Sequence, residues 1–219
     1  MSLSNRLITI ANFIHKDASV FDVGADHGLL EKYLLDNSLV RNIVAVENKE
    51  GPYKILKNSL KDYKAIVLLS DGIEDLDDSC DTIVIAGMGG YTIVDILTKH
   101  VQKLNYISQI VIDAHKDVEL VRREITRIGY RIEREKIIQE NGKYYFIISF
   151  VKGNSSYKDI EIEFGYQISR DPLFQEFKTQ EIKRLSLNLI KQKKAKIIKP
   201  DQIKKLESKI ERLESLWIQ

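Results

Sequence analysis

The sequence predicts an α/β fold with a largely parallel sheet, followed by a smaller helical domain. Between residues 19 and 151, short β-branched runs alternate with helical patterns, which is the order expected of βαβ units. Beyond Gly153 the pattern becomes wholly helical. The 219 residues, 43% of them hydrophobic, are enough to bury one substantial core. We therefore expect two domains, 1–153 and 154–219.

An amphipathic helix precedes the sheet, because Ser4 or Asn5 can cap a segment whose apolar residues recur at spacings of three and four. Five later runs have the nearly continuous apolar character of strands that are covered on both faces. These runs are 20–23, 43–47, 66–69, 82–86 and 107–112. They predict five parallel strands.

The last part of the sheet contains a hairpin. Residues 117–128 have a helical pattern that ends at Gly129, and two further strand-like runs follow at 130–138 and 143–151. The pair Asn141 and Gly142 between these runs favours a tight turn with positive φ. The last two strands are therefore expected to be antiparallel neighbours, so that the sheet contains one reversed strand.

The helical domain is expected to be an antiparallel two-helix hairpin of coiled-coil type. Pro172 is placed to start a helix that runs to about Lys194, and Pro200 opens a second helix. The second helix carries apolar residues at heptad-like steps, namely Ile203, Leu206, Ile210, Leu213 and Trp217. A seam this short is unstable alone, so we expect it to fold back on Ile182, Leu185 and Leu189.

Charge is distributed unevenly along the chain. The net charge is +2, but residues 1–151 hold 19 basic and 22 acidic side chains, whereas residues 152–219 hold 15 and 10. The basic excess suggests a polyanionic partner for the helical domain. Its bend carries a lysine cluster, which consists of Lys191, Lys193, Lys194, Lys196 and Lys199. The alternative interpretation of this lysine cluster is an ordinary solvated surface that binds no partner.

The cysteine and hydropathy patterns indicate a cytoplasmic protein. Cys80 is the single cysteine, which excludes an intramolecular disulfide. Residues 1–15 lack the apolar core of a signal peptide, and no run approaches the ~20 apolar residues of a membrane span. The four histidines have no metal-ligand spacing, so no metal is expected. We expect a monomer that does not associate with membranes.

A glycine-rich turn follows the first strand, in the segment Asp22-Val23-Gly24-Ala25-Asp26-His27-Gly28. Gly24 and Gly28 allow a tight turn and a close approach of the backbone to a ligand. Asp22 and Asp26 would repel a pyrophosphate, whereas they would attract a ligand that carries an ammonium and a sulfonium group. The turn therefore favours S-adenosylmethionine over a nicotinamide dinucleotide.

Acidic or glycine-rich signals also end the next three strands. Glu47 is placed to accept hydrogen bonds from ribose hydroxyls, and Asp71 from an adenine amine, while Gly72 leaves room for the ring. The fourth strand ends in the segment Ala86-Gly87-Met88-Gly89-Gly90, whose backbone would line a substrate crevice. The candidate cofactor-binding residues are Asp22, Gly24, Asp26, His27, Gly28, Glu47, Asn48, Asp71, Gly72, Ala86, Gly87 and Met88.

The motifs 22–30 and 85–90 resemble those of the TrmK family, the bacterial tRNA (adenine(22)-N1)-methyltransferases. The likeness extends to the Ser4-Asn5-Arg6-Leu7 helix start, the Asn141-Gly142 hairpin and the basic helices at the carboxyl end. It implies a class I S-adenosylmethionine-dependent methyltransferase, Rossmann-like, with a seven-stranded sheet that contains one antiparallel strand. It further implies tRNA as the partner and N1 of adenine 22 as the methylated atom.

The resemblance also suggests residue roles. It implies that Gly24, Asp26, His27, Glu47, Asp71 and Gly87 face the cofactor or the target base. Among these, Asp26, His27 and Gly87 are the catalytic candidates. Arg6 and the lysine cluster are the candidate RNA contacts.

The sequence departs from the family pattern in two segments. The segment 28–31, Gly-Leu-Leu-Glu, replaces a common Ala-Tyr-Leu-Pro, and the segment 113–115, Asp-Ala-His, replaces Gln-Pro-Asn. Both changes lie at the rim of the crevice, where the target adenine would be held.

The sequence leaves two alternative functions open. One is a non-catalytic RNA-binding protein that retains the methyltransferase fold, which the intact acidic and glycine motifs disfavour. The other is a nicotinamide-dependent oxidoreductase, which Asp26 in the turn disfavours.

Overall fold

The computed structural model describes residues 3–195 and 199–216. The strands are β1 (Ala18–Val23), β2 (Val40–Glu47), β3 (Ala65–Leu69), β4 (Thr82–Met88), β5 (Gln109–Ala114), β6 (Tyr130–Glu140) and β7 (Lys143–Lys152). The α-helices are α1 (Asn5–Phe13), α2 (Leu29–Asp36), α3 (Glu50–Ser59), α4 (Gly90–Lys99), α5 (Val118–Arg127), α6 (Asp159–Phe164), α7 (Phe174–Lys193) and α8 (Pro200–Glu214). The chain divides into two compact units, Met1–Ser156 and Tyr157–Gln219.

The sheet has seven strands in the order β3-β2-β1-β4-β5-β7-β6. The pairs among β1 to β5 are parallel, while β7 is antiparallel to both of its neighbours. This confirms the predicted sheet with one reversed strand. The chain runs outward from β1 through β2 to β3 and then crosses to β4 on the other side of β1. Ligands bind beyond the carboxyl ends of the strands at such a switch point.

The central strands form the core because both of their faces are covered. Every residue of β1 and of β5 is buried. The predicted fifth strand, 107–112, is displaced by two residues from the observed Gln109–Ala114. Its displacement has a local cause, because the Ile107 amide closes a preceding 3-10 helix by donating to the Leu104 carbonyl at 3.1 Å.

Local sequence explains the ends of several elements. Ser4 caps α1 through its hydroxyl, which accepts a hydrogen bond from the Leu7 amide at 3.3 Å. Asn141 and Gly142 have φ of 50° and 72° between β6 and β7, as the primed hairpin turn requires. No helix among residues 3–195 and 199–216 is both long and apolar enough to cross a membrane.

The second unit contains α6 in addition to the expected pair of long helices. Its core consists of Phe164, Leu185 and Leu213, against which Ile160, Ile182, Leu206, Ile210 and Leu216 pack. The long helices run antiparallel, because Lys193 at the end of α7 pairs with Glu207 at 2.7 Å and Lys178 near its start donates to the carbonyls of Glu214 and Leu216. Lys196 and Trp217 lie outside the described residues.

The two prolines of the second unit lie at different positions relative to the helices that they precede or begin. Pro200 stands in the first turn of α8, where its missing N–H costs nothing. Pro172 instead precedes α7, which begins at Phe174 rather than at the proline. The Asp171 carboxylate accepts a hydrogen bond from the Leu173 amide at 2.8 Å and so holds the chain just before the helix.

Candidate functional site

The glycine-rich turn joins the ends of β1, β2 and β4. The Gly24 amide donates to the Val46 carbonyl at 2.8 Å, which ties the turn to β2. Gly24 has φ of +77°, and a Cβ atom on it would lie 2.5 Å from the Met88 methyl group of β4. A glycine is therefore required for both the conformation and the close approach. Gly28, with φ of +73°, caps α2 and packs against Leu56 and Leu60.

Two carboxylates stand at the ends of β2 and β3. Glu47 Oε1 accepts a hydrogen bond from the Asp26 amide at 2.8 Å, so Glu47 fixes the turn that follows β1. The Asn48 side-chain amide donates to Asp71 Oδ1 at 3.3 Å. These bonds hold both carboxylates at the carboxyl-terminal edge of the sheet, beyond the ends of the strands. There they can accept hydrogen bonds from the hydroxyl and amine groups of a nucleoside.

A cavity of about 160 Å³ opens at this edge. Six of the predicted cofactor-binding residues line it, namely Gly24, Glu47, Asn48, Asp71, Gly72 and Met88. Met88, Ile73 and Ile96 supply apolar surface beside the acids. This combination suits a ligand with an apolar ring, hydroxyl groups and a positive charge, and so the residues fit the adenosyl cofactor that the sequence indicates.

The other six predicted residues lie outside the cavity lining. The side chains of Asp26 and His27 are 74% and 60% exposed on the turn, with the imidazole Nε2 3.5 Å from the carboxylate. Ala86 is half-buried and Gly87 is exposed at the end of β4. Gly28 packs as described above, and Asp22 is buried beneath the turn.

Asp22 forms a buried carboxyl pair with Glu31 of α2. Burial raises the pKa of Asp22 to about 6, the neighbouring Glu31 side chain opposes this, and the charge of Glu47 adds to it. Among the described residues, neither of the buried Glu31 carboxylate oxygens has a hydrogen-bond partner. Burial, and then the charge of Asp22, raise the pKa of Glu31 well above its ordinary value. Two adjacent buried carboxyl groups retain a proton between them, because both cannot ionise cheaply. No pattern in the sequence predicted this pair.

Helix α4 supplies a cavity wall that was not predicted from the sequence either. Thr92, Asp95, Ile96 and Lys99 line the cavity together with His100, which follows the helix. The available signal was their spacing of three or four residues directly after a strand that ends at the predicted crevice. This spacing places them on one face of α4.

The candidate RNA contacts lie in different surroundings. Lys191, Lys193, Lys194 and Lys199 are exposed around the bend between α7 and α8. Arg6 is instead held by the first unit, because its Nη1 lies 2.5 Å from Asp113 Oδ2. Burial raises the pKa of Asp113, and the guanidinium of Arg6 opposes that rise. The predicted contact of Arg6 with RNA phosphate stays a prediction.

The family model and the curated relative that match this chain are both described as methyltransferases. Residues 3–148 match the family described as methyltransferase domain. The tRNA (adenine(22)-N(1))-methyltransferase of Bacillus subtilis strain 168 is 29% identical over 173 residues, which cover 75% of this chain and 72% of that protein.

Solved structures resemble the chain over nearly its whole length. A Streptococcus pneumoniae protein in complex with S-adenosyl-L-methionine has a TM-score of 0.87 at 26% identity, covering 97% of this chain and 98% of that one. TrmK of M. capricolum with S-adenosyl-homocysteine has a TM-score of 0.85 at 25% identity, covering 98% and 97%. The chain therefore belongs to the methyltransferase-domain family and, within it, to the TrmK family.

Proposed function

We propose that this chain transfers a methyl group from S-adenosylmethionine to N1 of adenine 22 in tRNA. The observation that carries the proposal is the cavity at the ends of β1 to β4, where a glycine turn, two carboxylates and apolar side chains meet. The Bacillus subtilis relative, whose name gives this reaction, supports the choice of substrate. The two relatives solved with the cofactor or its product support the choice of methyl donor.

The cavity residues have distinct roles in cofactor binding. Glu47 uses one oxygen on the Asp26 amide, so its second oxygen accepts from the ribose hydroxyls. Asp71 faces the adenine amine and is held in place by Asn48. The carboxylates Glu47, Asp71 and Asp95 give the cavity acidic groups that attract a cationic ligand.

The chemistry requires positioning more than acid or base catalysis. The bound cofactor supplies an electrophilic methyl group, and N1 of neutral adenine has a free lone pair that needs no base. The protein's main task is to hold the two reactants in line, which is worth several orders of magnitude in rate. The exposed backbone at Gly87 and the carboxylate of Asp26 are our candidates for the group that accepts a hydrogen bond from N6 of the target.

The helical unit is proposed to bind tRNA. N1 of an adenine in folded RNA faces its pairing partner, so the enzyme must expose the nucleotide before it can react. The exposed lysine cluster at the bend can bind phosphates and so supply binding free energy for that exposure. Lys196 belongs to the same proposal, although it lies outside the described residues.

Nucleoside analysis tests the reaction directly. The purified chain is incubated with a tRNA transcript and methyl-labelled S-adenosylmethionine, and the modified base is mapped by mass spectrometry. We expect 1-methyladenosine at position 22 and no product with a matched transcript that carries guanine there. Cofactor and tRNA binding without methyl transfer would contradict the proposal and favour the non-catalytic RNA-binding alternative.

The remaining expectations are part of the proposal. We propose a cytoplasmic monomer, because tRNA is the substrate and Cys80 is the single cysteine. Light scattering on the purified protein tests the monomeric state, since a dimer has twice the mass of the 25.3 kDa chain.

A further inference from the structure

A cluster of side chains surrounds the β-bulge at the end of β4. Ala86 pairs with Asp113 and Met88 pairs with Ala114, so Gly87 is left without a partner in the ladder. Gly87 has φ of +81°, a conformation that favours glycine. The His115 amide donates to the Met88 carbonyl at 2.9 Å, which fixes the chain that follows β5 beside this bulge.

The imidazole of His115 lies over the bulge. A Cβ atom on Gly87 would be 3.7 Å from His115 Nε2, which is ordinary van der Waals contact. Met88, the next residue, lines the cofactor cavity. The imidazole therefore borders the backbone segment that separates the cofactor cavity from the end of β5.

Arg6 and Asp113 hold this imidazole from behind. Arg6 Nη1 lies 2.5 Å from the fully buried Asp113 and 3.4 Å from His115 Nε2. A guanidinium can only donate, so Nε2 is the acceptor in this contact. The guanidinium also lies 5.2 Å from the centre of the Tyr145 ring.

His115 and Tyr145 together form an aromatic pair at the protein surface. Their ring centres are 5.7 Å apart with an interplanar angle of 66°, an edge-to-face arrangement. His115 is exposed and Tyr145 is half-buried, whereas Asp113 beneath them is fully buried. The pair is thus an open aromatic surface on a fixed support.

This surface does not have the charge of a phosphate site. The Arg6 guanidinium is already paired with Asp113, and Glu140 lies 3.9 Å from its Nε atom. Two carboxylates therefore surround the single guanidinium, which disfavours an anionic ligand. A planar, neutral ligand suits the two aromatic rings better, and an unstacked base is such a ligand.

We propose that His115 and Tyr145 form the stacking wall for the target adenine, and that Arg6 and Asp113 are positioning residues that hold this wall beside Gly87. The inference rests on the proposed function, because it assigns a place to the adenine of that reaction. It assigns no proton transfer to His115, since N1 attacks without a base. It also gives Arg6 a role other than contact with RNA phosphate.

Steady-state kinetics with a tRNA transcript tests the stacking wall. We expect His115→Ala to lower kcat/KM for tRNA roughly 10- to 100-fold, which is the range that loss of one base-aromatic stack produces. S-adenosylmethionine affinity, measured by calorimetry, is expected to change by less than about twofold. His115→Phe keeps an aromatic ring and is expected to retain most of the activity with an unchanged pH profile. Tyr106→Ala, an exposed tyrosine before β5, is the matched control.

The role of Arg6 is tested by a separate measurement, the salt dependence of tRNA affinity. Arg6→Ala is expected to lower kcat/KM for tRNA while leaving the dependence of tRNA affinity on salt unchanged. A direct bond to phosphate would instead make the slope of log affinity against log salt shallower by about 0.7 to 0.9 in the variant. Such a change would overturn the positioning role.

The experiments distinguish failure of the proposed function from failure of the stacking wall. If the wild-type chain places no methyl group on tRNA, the proposed function fails and this inference fails with it. If the wild-type chain methylates adenine 22 and His115→Ala does so equally well, the stacking wall alone is wrong. Equal losses in His115→Phe and His115→Ala would also overturn it, because an imidazole nitrogen would then be required.

Discussion

Glu47 is the residue on which cofactor binding depends most directly. Its carboxylate accepts the Asp26 amide and is proposed to accept the ribose hydroxyls, so Glu47→Ala removes both bonds. Hydrogen bonds to a charged group contribute about 1.5 to 3 kcal/mol each, so we expect S-adenosylmethionine affinity to fall roughly 10- to 100-fold. Calorimetry measures this change. Glu50→Ala, which removes an exposed carboxylate paired with Lys54, is the matched control. An unchanged affinity in Glu47→Ala would show that the ribose lies elsewhere.

The Asp22–Glu31 pair predicts a dependence of stability on pH. Folding raises the pKa of Asp22 to about 6, so between about pH 4 and 6 the folded chain binds more protons than the unfolded chain. The free energy of unfolding therefore falls as the pH rises through this range, and Glu31, whose pKa is raised further, continues the fall above it. At a pH below the pKa values of the unfolded chain, the full contribution of the pair to the free energy of unfolding is present.

Glu31→Gln tests this dependence. The amide cannot ionise, so we expect the variant to melt above the wild type at pH 8, by roughly 2–4 °C for each kcal/mol gained. Near pH 4 the difference should disappear. Melting curves followed by circular dichroism across this range measure it, with Glu50→Gln as the exposed control. A variant that melts below the wild type at every pH would contradict the shared proton.

The cavity was only partly predictable at the residue scale. Gly24, Glu47 and Asp71 could be placed because each follows an apolar run, and the ends of parallel strands meet at one edge. The α4 wall could not be placed in this way, since the packing of the helix decides whether Asp95 faces the cavity. Glu31 was missed for a different reason, because a carboxylate in a helical pattern is usually exposed.

At the scale of elements, a buried ion pair joins α5 to β6. Arg122 Nη2 lies 2.5 Å from Glu135 Oε1, and the two side chains are 1% and 0% exposed. The guanidinium also lies 5.4 Å from the centre of the Phe146 ring. Removal of one partner leaves a charge buried in a low-dielectric environment, and this is far costlier than the loss of a surface pair.

We expect Arg122→Ala to lower the free energy of unfolding by about 3–5 kcal/mol. Denaturant unfolding measures it. Arg123→Ala, the neighbouring residue whose pair with Glu119 is exposed, should cost about 0.5 kcal/mol or less. The double variant Arg122→Met with Glu135→Leu should recover most of the loss, because no unpaired charge remains. A small effect of Arg122→Ala would contradict the account.

The sequence predicted most elements and the sheet correctly. The strands were identifiable because continuous β-branched runs have few alternative interpretations, and the Asn141-Gly142 turn determined the reversed strand. Helix α6 was not separated from the rest of the helical pattern, because a six-residue helix has too few turns to show periodicity. The predicted start of β5 was two residues too early, because an apolar residue such as Ile107 fits a strand and a buried turn equally well.

At the scale of the whole molecule, the basic excess of the helical unit makes tRNA binding testable. Replacing Lys191 and Lys194 together by Gln should weaken tRNA binding and make the slope of log affinity against log salt shallower by about 0.7–0.9 for each phosphate that the variant no longer neutralises. Fluorescence anisotropy over a range of salt concentrations measures both quantities. Lys61 and Lys64, two exposed lysines of the first unit, provide the matched control pair. Unchanged affinity and slope would remove the bend from the binding surface.

The two edge strands of the sheet differ in composition. The edge strand β6 carries several charges, among them Arg131, Glu133 and Lys136. The opposite edge strand, β3, has five uncharged residues, and its Ile66 and Leu69 are 57% and 48% exposed. An uncharged edge of this kind can accept a strand from another molecule. At high protein concentration we therefore expect association at β3 rather than at the charged strand β6.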